Sequence, residues 1–186
     1  MIRTFIAISV LEEIKKNIAD LQRKLKGCGG HIKWVRTESI HLTLKFLGDV
    51  EESKIDTIAD SLKKAVRTQK SFKISVSGTG AFPNIRQPRV LWVGIDEGKE
   101  ILTSLASEID RVCTALGFKP EKRKFSAHLT LGRVKFQKNI NTTLNTMNAA
   151  NFKGGSFRAE EIIIMKSELR PEGALYTPLH KIKLEG

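Results

Sequence analysis

Cysteine is scarce. Only Cys28 and Cys113 occur among 186 residues, far apart and without CxxC spacing. This excludes a disulfide framework and a cysteine-based zinc site, and both read as reduced, structural thiols of a cytoplasmic protein. Long apolar runs are missing too: stretches such as Ile162 to Met165 are far too short to span a membrane. Met1 to Val10 is apolar but has no cleavage site, and Glu12, Glu13, Lys15 and Lys16 follow at once. It reads as a strand entering a helix, not as a secretion signal. Aromatic residues make up 6%, few for an extended single-strand binder that works by stacking. No stretch is polar and long enough to serve as a linker, so residues 1–186 are expected to form one body.

Basic residues are in surplus: 32 Lys and Arg against 20 Asp and Glu give a net charge of +12. Such a surplus favours a polyanionic partner through phosphate contacts and counterion release; a solvated lysine-rich surface gives the same count. Charge alone does not decide between them.

Of four histidines, two stand in a repeated tetrapeptide. His41-Leu42-Thr43-Leu44 recurs as His128-Leu129-Thr130-Leu131, an offset of 128 − 41 = 87. The same shift carries Phe5-Ile6-Ala7-Ile8 onto Trp92-Val93-Gly94-Ile95, Ile14 and Ile18 onto Ile101 and Leu105, and Leu25 onto Val112. A tandem duplication with halves 1–87 and 88–186 explains these matches.

Local patterns assign the elements. Arg3 to Ser9 reads as a buried strand, and Ser9 and Glu12 have capping-box spacing ahead of a helix with a stripe of Leu11, Ile14, Ile18, Leu21 and Leu25. A second helix starts near Ser53 and buries Ile55, Ile58, Ala59, Leu62 and Val66. A third carries Ile101, Leu102, Leu105, Ile109, Val112 and Leu116, and Asn139 to Ala150 is a further candidate. Phe72, Ile74 and Val76 alternate as a strand, which the turn-rich segment 83–88 links to Val90–Ile95. Residues 157–168 and 174–184 read as two closing strands. Each half reads as strand–helix–strand–helix–strand, and the halves are expected to pack as two lobes of one body, each a sheet backed by helices.

Successive strand side chains point to opposite faces, so with both leucines inward His41 and Thr43 share the open face, as do His128 and Thr130. If an approximate two-fold axis relates the lobes, the two pairs can face each other across a cleft. That suits phosphodiester chemistry: a neutral imidazole takes a proton from the attacking group and a protonated one donates to the leaving oxygen. Threonine hydroxyls hold the non-bridging oxygens. Two histidines on separate lobes lack a helical His partner or a carboxylate at ligand spacing, so no metal is expected. Gly78-Thr79-Gly80 completes neither a phosphate loop nor a dinucleotide fingerprint; it reads as a strand-end bend, and no cofactor is expected. His31 and His180 read as structural. Alternation puts Lys45 on the face of His41, where it can attract a polyanion or is simply solvated.

The paired tetrapeptides, followed by Leu44-Lys45-Phe46-Leu47-Gly48 and Leu131-Gly132-Arg133-Val134, resemble the two-histidine phosphoesterase superfamily. Arg3-Thr4-Phe5-Ile6-Ala7-Ile8 and the stretch from Phe82-Pro83 to Pro88-Arg89-Val90-Leu91-Trp92 are similar to its RNA 2′,3′-cyclic phosphodiesterases, the bacterial and archaeal 2′–5′ RNA ligases. The resemblance implies an α+β fold of two pseudo-symmetric lobes, each a mainly antiparallel sheet backed by helices, flanking a central cleft. It also implies hydrolysis of a terminal 2′,3′-cyclic phosphate to a 2′-phosphate, with ATP-independent 2′–5′ ligation when a 5′-hydroxyl RNA end replaces water. It makes His41 the proton donor and His128 the proton acceptor, with Thr43, Thr130 and Arg133 binding phosphate. Implied partners are RNA ends bearing the cyclic phosphate, tRNA halves among them, met by a monomer with no membrane attachment. Strict alternation from His128 puts Arg133 on the leucine side, so it reaches the cleft only if the strand ends or twists near Gly132. Two other readings stay open: a cyclic phosphodiesterase of small nucleotides such as ADP-ribose cyclic phosphate, and a non-catalytic RNA-binding module.

Overall fold

The computed structural model describes residues 1–171 and 173–186. Nine strands and four helices alternate along them: β1 (Ile2–Ser9), α1 (Glu12–Lys26), β2 (His31–Trp34), β3 (His41–Val50), α2 (Ile55–Ala65), β4 (Phe72–Phe82), β5 (Val90–Ile95), α3 (Lys99–Ala115), β6 (His128–Phe136), α4 (Asn141–Ala149), β7 (Lys153–Ala159), β8 (Glu161–Arg170) and β9 (Gly173–Lys183). Two sheets result, in the orders β3-β1-β8-β9 and β2-β6-β5-β4-β7, with antiparallel pairing throughout. Helices α2 and α3 pack on the first sheet, α1 and α4 on the second. The expected α+β architecture is there.

The lobes, however, are not the two halves of the sequence. The order β3-β1-β8-β9 corresponds strand for strand to β6-β5-β4-β7, so β4 belongs to the sheet of β5 and β6, and β8 to that of β1 and β3. Connectivity supplies the reason: β4 and β5 are neighbours in sequence, and the short 83–89 segment lets them pair as a hairpin. The leading strands also match differently from the simple repeat. His41 pairs with Ser9 and Thr43 with Ala7, whereas His128 pairs with Gly94 and Thr130 with Trp92. Ser9 thus corresponds to Gly94, an offset of 94 − 9 = 85, two residues short of the motif offset. Parity, and therefore facing, is preserved.

Further expectations change. The proposed strand 157–168 breaks at Glu160, where the chain leaves the second sheet as β7 and enters the first as β8. No side chain caps α1, whose first turn instead follows extended Leu11, and Leu11 is exposed. Its apolar stripe is Ile14, Ile18, Leu21 and Leu25; in α3 the buried set is Leu102, Leu105, Ala106, Ile109, Val112 and Cys113, while Ile101 and Leu116 stay exposed. Gly78-Thr79-Gly80 lies inside β4, at a register shift between Ser77 and Thr79 where Gly78 has φ +72°. Strand β2 has no counterpart among the elements expected from sequence. No helix among the described residues is long and apolar enough to cross a membrane.

Candidate active site

His41 opens β3 and His128 opens β6. Leu42 and Leu44, like Leu129 and Leu131, are buried, whereas both histidines and both threonines keep partial access. Each HxT pair therefore stands on the open face of its sheet, and β3 and β6 lie against each other. The two imidazoles are held alike. Nδ1 of His41 lies 2.8 Å from the Ser39 carbonyl, and Nδ1 of His128 lies 2.7 Å from that of Ser126. A carbonyl only accepts, so Nδ1–H donates in both, and Nε2 is left as the working atom.

A bulge in each motif strand decides what else faces the cleft. Between Thr43 and Lys45 the partner strand advances by one residue only, from Ala7 to Ile6; between Thr130 and Gly132 it does the same, from Trp92 to Leu91. One extra residue inverts the facing of the residues that follow it, in β3 as far as a second shift between Phe46 and Gly48. Arg133 accordingly comes out on the exposed side with His128 and Thr130. Lys45 goes the other way: it is 5% exposed, not on the open face, and its ammonium is ion-paired to Asp110 of α3 and donates to the Lys119 carbonyl at 3.0 Å. Phe46, the counterpart of Arg133, is 64% exposed. Behind the second bulge, buried Gln22 of α1 donates to the Leu131 and Val35 carbonyls, both at 2.9 Å. A polar group from a helix of the other half thus secures each bulge.

Three aromatic neighbours of the histidines are absent from the sequence-derived site. Phe5 and Tyr176 enclose His41, with centroids at 4.6 and 4.9 Å, and Phe82 meets His128 edge-on at 4.9 Å. Trp92 lies beside Phe82, over Gly80. Tyr176 comes from β9, 135 residues beyond His41 (176 − 41), so no local pattern announces it.

Charge and burial set the imidazoles below their ordinary range. For His41 the loss of water dominates, the Ser39 carbonyl opposes it, and the Lys15 and His128 charges add to it. For His128 burial again leads, the Ser126 carbonyl opposes, and Arg133 adds its positive charge. Tyr176 is raised by burial, with Arg133 and Arg3 pulling it back. Arg133 thus bears on both His128 and Tyr176 through its positive charge.

The remaining histidines do other things. His180 Nε2 lies 2.9 Å from Asp56, and His31 stacks edge-on against Phe136. Burial pushes the Cys113 thiol up to about 11, which suits an inert core residue. No group of three or more His, Cys, Asp or Glu among the described residues is placed to hold a metal ion.

Comparison with known proteins identifies the family. A profile of the family described as LigT-like phosphoesterase matches residues 8–92 and again 93–176. A protein of Methanothermobacter thermautotrophicus named RNA 2′,3′-cyclic phosphodiesterase is 35% identical over 98% of this chain and 99% of its own length. One of the same name from Thermotoga maritima is 38% identical over 99% and 96%. Among solved structures, a Thermus thermophilus protein superposes with a TM-score of 0.80 at 27% identity, over 99% of this chain and 98% of the other. E. coli LigT complexed with 3′-AMP gives 0.79 at 25%, over 100% and 99%. By sequence along its whole length and by fold, the chain belongs to the LigT-like phosphoesterases, the two-histidine family.

Proposed function

We propose that this protein hydrolyses 2′,3′-cyclic phosphate ends of RNA to 2′-phosphates, with His41 and His128 as the catalytic pair. The observation that carries the reading is the mirrored tethering of the two imidazoles, each pinned through Nδ1 so that Nε2 is left for proton transfer. Relatives named for this activity, at 35 and 38% identity over nearly the whole chain, support the choice of substrate.

In the forward direction water attacks phosphorus while His128 Nε2 takes its proton. The P–O3′ bond breaks as His41 Nε2 gives a proton to the departing oxygen. Thr43 and Thr130 hold the non-bridging oxygens as negative charge builds, and Arg133 binds phosphate of the same substrate. The anionic phosphate between the rings favours the imidazolium that burial disfavours, so binding itself readies the acid. Exchange of the two protons with solvent resets the pair. With a 5′-hydroxyl in place of water, the same steps in the same direction give a 2′–5′ linkage. The chain acts as one bilobal unit over 1–186 that arose by tandem duplication. Its substrates include tRNA halves, met as a monomer in the cytoplasm.

The test is product analysis. Purified protein with EDTA and an oligonucleotide ending in a 2′,3′-cyclic phosphate is expected to yield the 2′-phosphate. Undiminished turnover after replacing His41 and His128 with alanine would overturn the assignment, as would a 3′-phosphate product.

A further inference from the structure

The lobes differ at one place on the rim of the cleft. Beyond the first bulge β3 is an edge strand and ends its open face in Phe46; beyond the second, β6 carries Arg133 and is joined by the additional strand β2. In the β2–β6 register Lys33 stands directly opposite Arg133. Ile32 and Trp34 pack against the core, as does Val134, so Lys33 and Arg133 are turned the same way, onto the open face. Both are exposed, and among the described residues neither makes an ion pair with a carboxylate. Like charges directly across a strand pair repel, so an uncompensated Lys–Arg pair is arranged for an anion that bridges it.

We infer that Lys33 and Arg133 form a second phosphate subsite, which holds the phosphodiester one nucleotide upstream of the cyclic end and so places the upstream RNA over the His128 sheet. This rests on the reading of the site as an RNA-end phosphodiesterase. Strand geometry sets Arg133 roughly 7 Å along β6 from Thr130 and Lys33 about 5 Å further across the sheet, the reach of one nucleotide. The subsite also breaks the pseudo-symmetry of the two motifs: Phe46 offers no charge at the matching position, so the strand polarity of the substrate is read on one side only.

The experiment compares a 2′,3′-cyclic mononucleotide with a dinucleotide bearing the same end, over a salt series, for wild type, Lys33→Ala, Lys33→Glu and Lys33→Arg. Lys33→Ala is expected to lower kcat/KM on the dinucleotide about 5- to 10-fold and to reduce its salt slope by about 1, with the mononucleotide changed less than about twofold. Lys33→Glu should lose more, and Lys33→Arg should restore the wild-type ratio. Equal losses on both substrates, or none on either, overturn the subsite. Equilibrium binding of the 2′-phosphorylated mono- and dinucleotides reads the same difference without turnover. A wild type that hydrolyses neither substrate yet binds the dinucleotide through Lys33 would sink the proposed activity and keep the subsite.

Discussion

The buried ion pair behind the first bulge sets up an unequal mutational response. Lys45 lies on β3 with its side chain 4% exposed, while Asp110 on α3 keeps 25%. Lys45 also donates to the Lys119 carbonyl, and Asp110 accepts from the Glu121 amide at 3.0 Å. In Asp110→Asn the ammonium stays in the core with neutral acceptors only and no counter-charge, the situation that costs roughly 3–5 kcal/mol. In Lys45→Met the stem volume is kept and no cation is buried, and the carboxylate turns to nearby water and the Glu121 amide. That loss is expected at about 1–2 kcal/mol. At roughly 2–4 °C per kcal/mol for a chain of this size, Asp110→Asn should lower Tm by about 6–20 °C and Lys45→Met by about 2–8 °C. Calorimetry or urea unfolding measures both. Burial pushes the Asp110 carboxyl up, but the Lys45 bond and the Glu121 amide outweigh it and hold the carboxyl below the ordinary 3.8. The pair's contribution is therefore complete above that value and is lost as pH falls through the lower folded one. The reasoning fails if Lys45→Met costs as much as Asp110→Asn, or if both cost less than about 0.5 kcal/mol.

Alanine at His41 or His128 should lower kcat/KM by about 10²–10⁴, with Thr43→Ala or Thr130→Ala losing on the order of 10²; a loss under about tenfold for either histidine in steady-state kinetics would remove it from the chemistry. Both imidazoles sit below 6.5, so the alkaline limb of kcat/KM should begin to fall below that pH, and Arg133→Gln should raise the His128 titration followed by NMR. An unmoved His128 titration would contradict the placement of Arg133. The same depressed values mean that acid protonates the unfolded chain first, so each histidine's contribution to stability is full above 6.5 and declines as pH drops towards the folded value. Gly80→Ala puts a methyl 2.3 Å from the Trp92 ring; the indole must leave Gly80, at a cost of about 1–3 kcal/mol and with a changed near-ultraviolet dichroism around the aromatic wall by His128.

Alternation along His-Leu-Thr-Leu was enough to set both imidazoles and both hydroxyls on open faces, because those four residues precede either bulge. Past the bulge the same rule gave the wrong side for Lys45 and left Arg133 in question. A bulge is set by how a strand meets its neighbour, and the sequence of one strand does not contain that neighbour. The one local hint was Gly132 standing where the first motif has Lys45. The exchange of β4 and β8 was hidden for a related reason: the repeat reports which segments correspond, and the hairpin through 83–89 decides which sheet receives them. Phe5 was legible as buried, but its role as the floor under His41 depends on Tyr176 arriving from the far end of the chain.

The traded strands make the two motif strands parts of a single interlaced object. Severing the chain at the 83–89 segment would leave the first fragment without β8 and β9, and the second without β2 and β4. Neither fragment holds a finished sheet, so each should remain largely unfolded alone and regain structure only on mixing. In the intact protein the same threading resists scissoring of one sheet away from the other, which keeps the distance between the two Nε2 atoms a fixed dimension of the fold.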